Sequence, residues 1–473
     1  MKKPLVVDLD GTLIKTDILV ETLLKYFKLN IFNIFRFLII VFRGGKSAIK
    51  SEIARSVDID VSILPYNEDV LAYIRSQKSE GRKVVLATAT NEKYANQIAK
   101  YLDIFDDVFS SDEKTNLASS VKAEKLVSIY GAKGFDYVGN SMADIKVWKA
   151  SDQSIVVNPD KGVLPKAEQC CNVVHIIENR PNFFQTLVKA LRVHQWAKNL
   201  LIFVPLVASH QWFDTEKVAD GIIAFIAFSL CASTVYLLND LLDLEDDRHH
   251  SSKCRRPFAS GALDVRIGLL FAPLILVFVF LLSVLLLPIN FLLVLLGYYA
   301  LTLAYSFKLK RMVVVDVTTL AILYTVRIIA GGVGLELDLT FWLLAFSMFI
   351  FLSLALVKRY AELHEARSLG LNKTRGRGYY PSDLELLSSL GSSSGYMSVL
   401  VLALYINDPV TSVMYSHSEV IWLACPLILY WISRTWMITH RGLMHDDPVV
   451  FALKDKVSRI TGCLFLLVFW SAI

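Results

Sequence analysis

Cysteine is scarce in this sequence, six in 473 residues, and none stands at a metal-ligand spacing. Cys170 and Cys171 are adjacent while Cys231, Cys254, Cys425 and Cys463 are isolated, so no chemistry is assigned to them. An excess of one charge is also lacking. Lys and Arg number 49 against 44 Asp and Glu, a net +5 that says little until its placement is examined; no nucleic-acid partner is expected. A cleavable signal peptide is missing as well: Met1-Lys2-Lys3-Pro4 leads into Leu5 to Leu9, too short an apolar core and followed at once by acids. The N-terminal part is therefore expected in the cytosol. Long apolar runs are absent only from that part. Residues 1 to about 185 have an ordinary soluble composition, and from about 199 onward bilayer-length apolar runs recur to the end. With 54% hydrophobic residues and a mean hydropathy of +0.47, the chain reads as at least two domains, one of them in a membrane.

Apolar runs near 199–210, 217–239, 267–287, 289–306, 313–333, 340–357, 394–406, 418–436 and 457–473 predict an all-α polytopic domain of about nine transmembrane helices. Alternate turns, around 210–216, 287–290, 334–339 and 407–417, contain no Lys or Arg. The intervening loops carry Arg248, Lys253, Arg255 and Arg256, then Lys308, Lys310 and Arg311, then Lys358, Arg359, Arg367, Lys373, Arg375 and Arg377, then Arg434, Arg441, Lys454 and Lys456. That asymmetry is the positive-inside pattern, and it predicts that the basic loops share the cytosolic face with the N-terminal domain.

Near the start, Leu5-Val6-Val7-Asp8-Leu9-Asp10-Gly11-Thr12 is an apolar strand ending in two carboxylates two apart, which alternation turns toward one site. A second apolar strand, Val84 to Ala87, runs into Thr88-Ala89-Thr90; Lys122 follows in a basic stretch, and Phe135 to Gly139 leads into Asn140 and Asp144. These parts, in this order, resemble the haloacid dehalogenase-type (HAD) phosphatases. The resemblance implies a doubly wound α/β parallel sheet over residues 1–180, with a helical cap at about 17–80. It implies Asp8 as the nucleophile and Asp10 as the general acid and base, Thr88 and Lys122 as phosphate-binding residues, and Asp8, Asp10 and Asp144 around Mg²⁺. Asn140 stands where an acid is commoner in the family. Within the cap, residues 26–43 are apolar, interrupted by Lys28, Asn33 and Arg36, and read either as an interfacial helix lying on the bilayer or as one buried on its partner.

The densest cluster of acids closes the second apolar run: Asn239-Asp240-Leu241-Leu242-Asp243-Leu244-Glu245-Asp246-Asp247-Arg248. Asp240, Asp243 and Asp247 are spaced to share one helical face, where oxygen-only ligation suits Mg²⁺ completed by waters and substrate phosphates. Lys253 and Arg256, just beyond, suit the remaining phosphate oxygens.

Residues 188–473 resemble the UbiA-type membrane transferases, whose first acid motif this stretch matches. A second acid pair is lacking: Tyr305-Ser306-Phe307-Lys308 is followed by Asp316 alone. His194 to Asn199, Val357 to Leu363, Arg327 before Gly331-Gly332, and Arg434-x-Trp436 followed by His445-Asp446-Asp447-Pro448 resemble the polyprenyl-phosphate phosphoribosyltransferase branch. That branch implies phosphoribosyl diphosphate and an isoprenoid lipid phosphate as substrates, in a bacterial cytoplasmic membrane. It implies Asp240, Asp243 and Asp247 as catalytic metal ligands, with Lys198, Asn239, Lys253, Arg256, Tyr305, Lys308, Lys358 and Arg359 as substrate-binding candidates; an oligomer is compatible with it. The alternative is a UbiA-type prenyltransferase with a prenyl diphosphate donor and an aromatic or quinone-type acceptor, for which the missing second acid pair is the discriminating feature.

Overall fold

Three apolar residues, Leu5-Val6-Val7, form the central strand of a six-stranded sheet, and none has measurable exposure. The computed structural model describes residues 2–30, 32–112, 115–250, 252–370, 378–408, 415–444 and 447–473, with the backbone alone at 34, 38 and 41–48. The strands are β1 (Leu5–Val7), β2 (Val84–Asn91), β3 (Asp107–Ser111), β4 (Asp136–Gly139), β5 (Ser154–Val157) and β6 (Val173–Ile177), in the order β3-β2-β1-β4-β5-β6. Every adjacent pair is parallel. Alternation along the strands feeds two cores: Leu5, Val7 and Leu86 enter one and Val6, Val85 and Ala87 the other. Helices cover both faces, so the strands read as continuous apolar runs. Each fully buried Val or Leu contributes about 1.5–3 kcal/mol of transfer free energy.

The cap is helical. Asp17 caps the helix Ile18–Leu29 by accepting from the amides of Leu19 and Val20, and a second helix, Asn33–Ser56, packs against it. Leu29, Phe32, Phe35 and Ile39 are exposed, so part of the apolar 26–43 stretch faces outward. The side chains at 34, 38 and 41–43 lie outside the described residues.

Contacts divide the chain into two units, residues up to Leu191 together with Tyr236–Ala272, and Arg192–Val235 together with Pro273–Ile473. The acid-rich stretch thus clusters with the N-terminal sheet. Among the described residues seven helices are long and apolar enough to cross a membrane: Thr215–Leu242, Val265–Leu286, Ile289–Phe307, Val315–Gly334, Phe341–Ser368, Pro381–Ile406 and Ser418–His440. Two expected spans differ. Residues 199–210 form a 3-10 stretch, Val193–Phe203, and a five-residue helix, Val204–Ala208. The last helix, Lys456–Ala472, has 17 residues, about 26 Å at 1.5 Å per residue, a little less than a bilayer core. Within the second unit Val315–Gly334 is the most enclosed of the seven, with 67% of its apolar window buried. Gly331 explains part of that closeness, because a Cβ there would run into the backbone carbonyl of Ile202.

Candidate active sites

Strand β1 lies between β2 and β4, the crossover point at which a parallel sheet opens a crevice beyond its carboxyl ends. Asp8 and Asp10 stand at that edge. Lys122 donates to Asp8 at 2.7 Å and to the Tyr137 hydroxyl at 2.9 Å, and Tyr137 donates to Asp144 at 2.8 Å. Asp144 is fixed in turn by the amides of Asn140 and Ser141 and by the Ser141 hydroxyl. Thr90 donates to Asp10 at 2.6 Å, and the Ile18 amide donates to its other oxygen at 2.9 Å. Thr88, fully buried, accepts from the Thr90 amide at 3.0 Å. The Thr12 hydroxyl reaches the Asn140 amide oxygen at 3.4 Å.

Burial pushes the Asp10 carboxyl up to about 7, reinforced by Asp17, and Asp8 up to about 6, where Lys122 offsets part of the cost. Burial acts to lower the Lys122 ammonium, but Asp8 and Asp144 hold it above the ordinary lysine value. Two acids with raised and different values beside a fixed cation suit nucleophilic attack by one and proton transfer by the other. Sequence reasoning brought Asp8, Asp10, Thr88, Lys122 and Asp144 to this place, and the structure assembles them within one unit. It missed Tyr137 and Thr90, whose signal was their position inside the quoted strand tips.

The acid-rich stretch departs from a single helical face. The helix Thr215–Leu242 ends before Asp243, and a six-residue helix, Leu244–His249, starts after it. Asp240 and Asp247 still converge, because Arg256 donates to Asp240 at 3.1 Å and to Asp247 at 2.6 Å. Both carboxylates are almost wholly enclosed, and burial raises Asp247 even with Arg256 beside it. Asp243, at the break, is half-exposed and lies 3.9 Å from Lys28 of the cap helix. The Asn239 carbonyl accepts from the Asp243 amide, while Lys253 is exposed in the following turn. Among the described residues no three His, Cys, Asp or Glu side chains converge closely enough to hold a metal ion by themselves. The Asp240–Asp247 pair nevertheless fits Mg²⁺, a hard ion content with one or two carboxylates plus water and phosphate oxygens, and one or two of Asp8, Asp10 and Asp144 would serve in the same way.

In the second unit Asp447 collects two of the named groups and one further hydroxyl. Lys198 donates to it at 2.8 Å, Lys358 at 3.1 Å and the Tyr324 hydroxyl at 3.1 Å. Burial works to raise Asp447, but the two lysines outweigh it and hold the carboxylate well below the ordinary range. Tyr324 was missed by sequence reasoning; His445 and Asp446 lie outside the described residues. Arg327 donates to Asn199 at 2.8 Å and lies over the rings of Tyr298, Tyr324 and Phe228. Arg359, expected among substrate ligands, is enclosed in an ion pair with Asp316 and Glu362. Tyr305 is half-buried, and Lys308 is exposed at the end of Ile289–Phe307. A cavity of about 1080 Å³ is lined mainly by apolar and aromatic side chains, including Trp212, Trp342, Phe346, Tyr405 and Trp470. Phe351, on its wall, stacks on Tyr324 at 5.1 Å between ring centroids.

A model of the UbiA prenyltransferase family matches residues 200–454, more than half of the chain. The chain belongs to that family. Among its relatives, an uncharacterized protein of Sinorhizobium fredii, y4nM, is 37% identical over 465 residues, covering 98% of this UbiA-family chain and 90% of its own length. Decaprenyl-phosphate phosphoribosyltransferase of Mycobacterium tuberculosis is 32% identical over 290 residues, which are 60% of this chain and 93% of that one. A solved HAD family hydrolase from Salmonella enterica aligns at a TM-score of 0.29 and 12% identity, covering 36% of this chain and 68% of its own. The protein is a multi-pass membrane enzyme in which a UbiA-type transferase is joined to an N-terminal domain built on a six-stranded parallel sheet.

Proposed function

We propose that this UbiA-family enzyme transfers 5-phosphoribose from phosphoribosyl diphosphate to a polyprenyl phosphate, and that its HAD domain then removes the 5-phosphate. The observation that carries the first step is the similarity to decaprenyl-phosphate phosphoribosyltransferase along 93% of that protein's length. In the transfer, the bond from the anomeric carbon to the diphosphate breaks, the diphosphate leaves with the electron pair, and an oxygen of the lipid phosphate forms the new bond. Mg²⁺ held by Asp240 and Asp247 would stabilise the charge on the leaving group. Asp243 would complete that set once the break at 243 closes toward the metal. Arg256, already against both acids, would turn to the diphosphate oxygens, with Lys253 beside it in sequence. Within the second unit Lys198 and Lys358, held by Asp447, suit a phosphate oxygen, and Tyr324 fixes that carboxylate. The acceptor needs no base, because a lipid phosphate is an anion at neutral pH and requires only position. The apolar cavity within the second unit is of a size and lining that suit an isoprenoid tail.

In the HAD site, Asp8 would attack phosphorus while Asp10 gives its proton to the departing ribose oxygen; water then cleaves the aspartyl-phosphate with Asp10 as base. Thr88 and Lys122 would hold the phosphate, and Mg²⁺ with Asp8, Asp10 and Asp144 would neutralise it. The exposed stripe of Leu29, Phe32, Phe35 and Ile39 supports an interfacial cap helix, lying where a lipid headgroup is found. The cytosolic placement of this domain rests on the Lys and Arg asymmetry of the loops.

The prenyl-donor alternative is disfavoured by Asp316, whose carboxylate is engaged by Arg359 and Tyr379. The two readings separate in one assay. Purified protein with Mg²⁺ is offered labelled phosphoribosyl diphosphate with polyprenyl phosphate, or a prenyl diphosphate with a quinone precursor. Label passing into lipid only in the first mixture supports the proposal, and prenylation only in the second overturns it.

A further inference from the structure

Glu21 lies on the cap helix Ile18–Leu29, and Arg248 directly follows Asp247. The two terminal nitrogens of Arg248 donate to the two carboxylate oxygens of Glu21 at 2.8 and 2.5 Å, while its Nε donates to the Ala259 carbonyl at 2.9 Å. Side-chain exposure is 5% for Arg248 and 8% for Glu21. A bidentate guanidinium–carboxylate pair is among the strongest and most directional of side-chain contacts. Enclosed as this one is, it is costly to leave half-made.

Other contacts from the same unit hold the acid-rich stretch around that pair. Glu21, Lys25 and Lys28 follow one face of the cap helix. Lys25 pairs with Glu245 at 2.6 Å, and Lys28 donates to the Leu242 carbonyl at 2.6 Å, just where the long helix ends. Beyond the acids, Gly261 sits at φ +69, and a Cβ there would come within 2.7 Å of Lys15 and 3.3 Å of Pro65. The lysine pairs are partly exposed and contribute little individually; Glu21 is the enclosed anchor. Its partner sits on a helix of six residues that also presents Asp247 to Arg256 and Asp240. On so short a helix, a rotation that releases Arg248 turns Asp247 as well.

We propose that Glu21, a residue of the HAD-type domain, is a positioning residue of the transferase: through Arg248 it fixes the Asp247 carboxylate for the cation and diphosphate. The inference rests on the assignment of Asp240 and Asp247 to the transfer reaction. Loss of Glu21 leaves a guanidinium beside Asp247 without its anchor, so cation affinity falls first and the transfer step follows.

The test measures transfer by the full-length protein as a function of Mg²⁺ concentration. Glu21→Gln is expected to raise the Mg²⁺ concentration for half-maximal rate roughly tenfold or more, in the range found when an outer partner of a metal ligand is removed. The donor KM should rise with it, kcat at saturating Mg²⁺ should fall less, and hydrolysis of p-nitrophenyl phosphate by the HAD site should be unchanged. Arg248→Gln should behave alike, and the double variant should be no worse than either single one, because both remove one interaction. If Glu21→Gln does not fold, Arg248→Lys keeps the charge without the fork and gives the same readout. An unshifted Mg²⁺ dependence, additive losses in the double variant, or a parallel fall in both activities and in melting temperature would overturn the proposal. Asp240→Asn, measured alongside, separates the causes. If it leaves transfer intact, the assignment of the acids fails and the proposal with it; if it stops transfer while Glu21→Gln is silent, positioning alone is rejected.

Discussion

Arg359 holds Asp316 with its Nε 2.9 Å from Oδ2, and neither side chain has any exposure. The contact is a buried ion pair. Tyr379 completes the group by donating to the other Asp316 oxygen at 2.6 Å. A carboxylate neutralised in this way by a fixed cation is a structural group rather than an open ligand. Arg359→Ala is therefore expected to strand a buried charge and cost about 3–5 kcal/mol, whereas Asp316→Leu with Arg359→Met should recover most of it. Thermal unfolding in detergent reads the difference, and a double variant no more stable than the single one would contradict it.

Asp240→Asn is expected to lower transfer about a hundredfold or more, because it removes negative charge from the cation that balances the leaving diphosphate. Hydrolysis of p-nitrophenyl phosphate should persist. Asp8→Asn should show the opposite pattern. If either change stops both reactions, the two activities do not reside in separate sites.

The raised acids at the edge of the N-terminal sheet make a pH prediction. Asp8 at about 6 and Asp10 at about 7 bind protons more tightly in the folded protein than at the ordinary value of 3.8. Without metal, their contribution to stability is full below about 4, shrinks as pH climbs, and is lost once pH passes about 7. For Asp10 this amounts to roughly 4 kcal/mol at most. The melting temperature of EDTA-treated protein should thus fall between pH 5 and pH 7.5 relative to Asp10→Asn, in which the slope is reduced. Equal slopes in the two proteins would refute the burial argument.

Topology is tested with single cysteines in a cysteine-free background. Cysteines at Glu216 and Arg311 should label from opposite sides of sealed vesicles, with Arg311 on the side of the HAD domain. Labelling of both from one side would overturn the orientation drawn from the loops.

That Asp8 and Asp10 stand together was legible in the sequence, because they are local to one strand end, where alternation alone brings them to one edge of the sheet. The apolar runs likewise announced the spanning helices, except at 199–210, where Val193–Phe203 is a 3-10 stretch followed by a short helix, and at 457–473, where the last helix has only 17 residues. Spacing misread Asp243, because the helix break there is supported by Lys28, far away in the chain. Glu21 and Arg248 are 227 positions apart, and their pairing has no local signature. The charge pattern was its only trace: Glu21, Lys25 and Lys28 on one helical face oppose Arg248, Glu245 and Asp246. Arg359 looked like a phosphate ligand because a buried Arg–Asp pair and an open cation are indistinguishable in sequence.

The central claim, that one chain makes a phosphoribosyl lipid and then dephosphorylates it, is tested most directly by mass spectrometry of lipid products. Wild-type protein and Asp8→Asn are each supplied with polyprenyl phosphate, phosphoribosyl diphosphate and Mg²⁺. Wild type should yield ribosyl lipid lacking the 5-phosphate, and Asp8→Asn should accumulate the phosphoribosyl form. Identical product mixtures from the two proteins would remove the HAD domain from the reaction sequence.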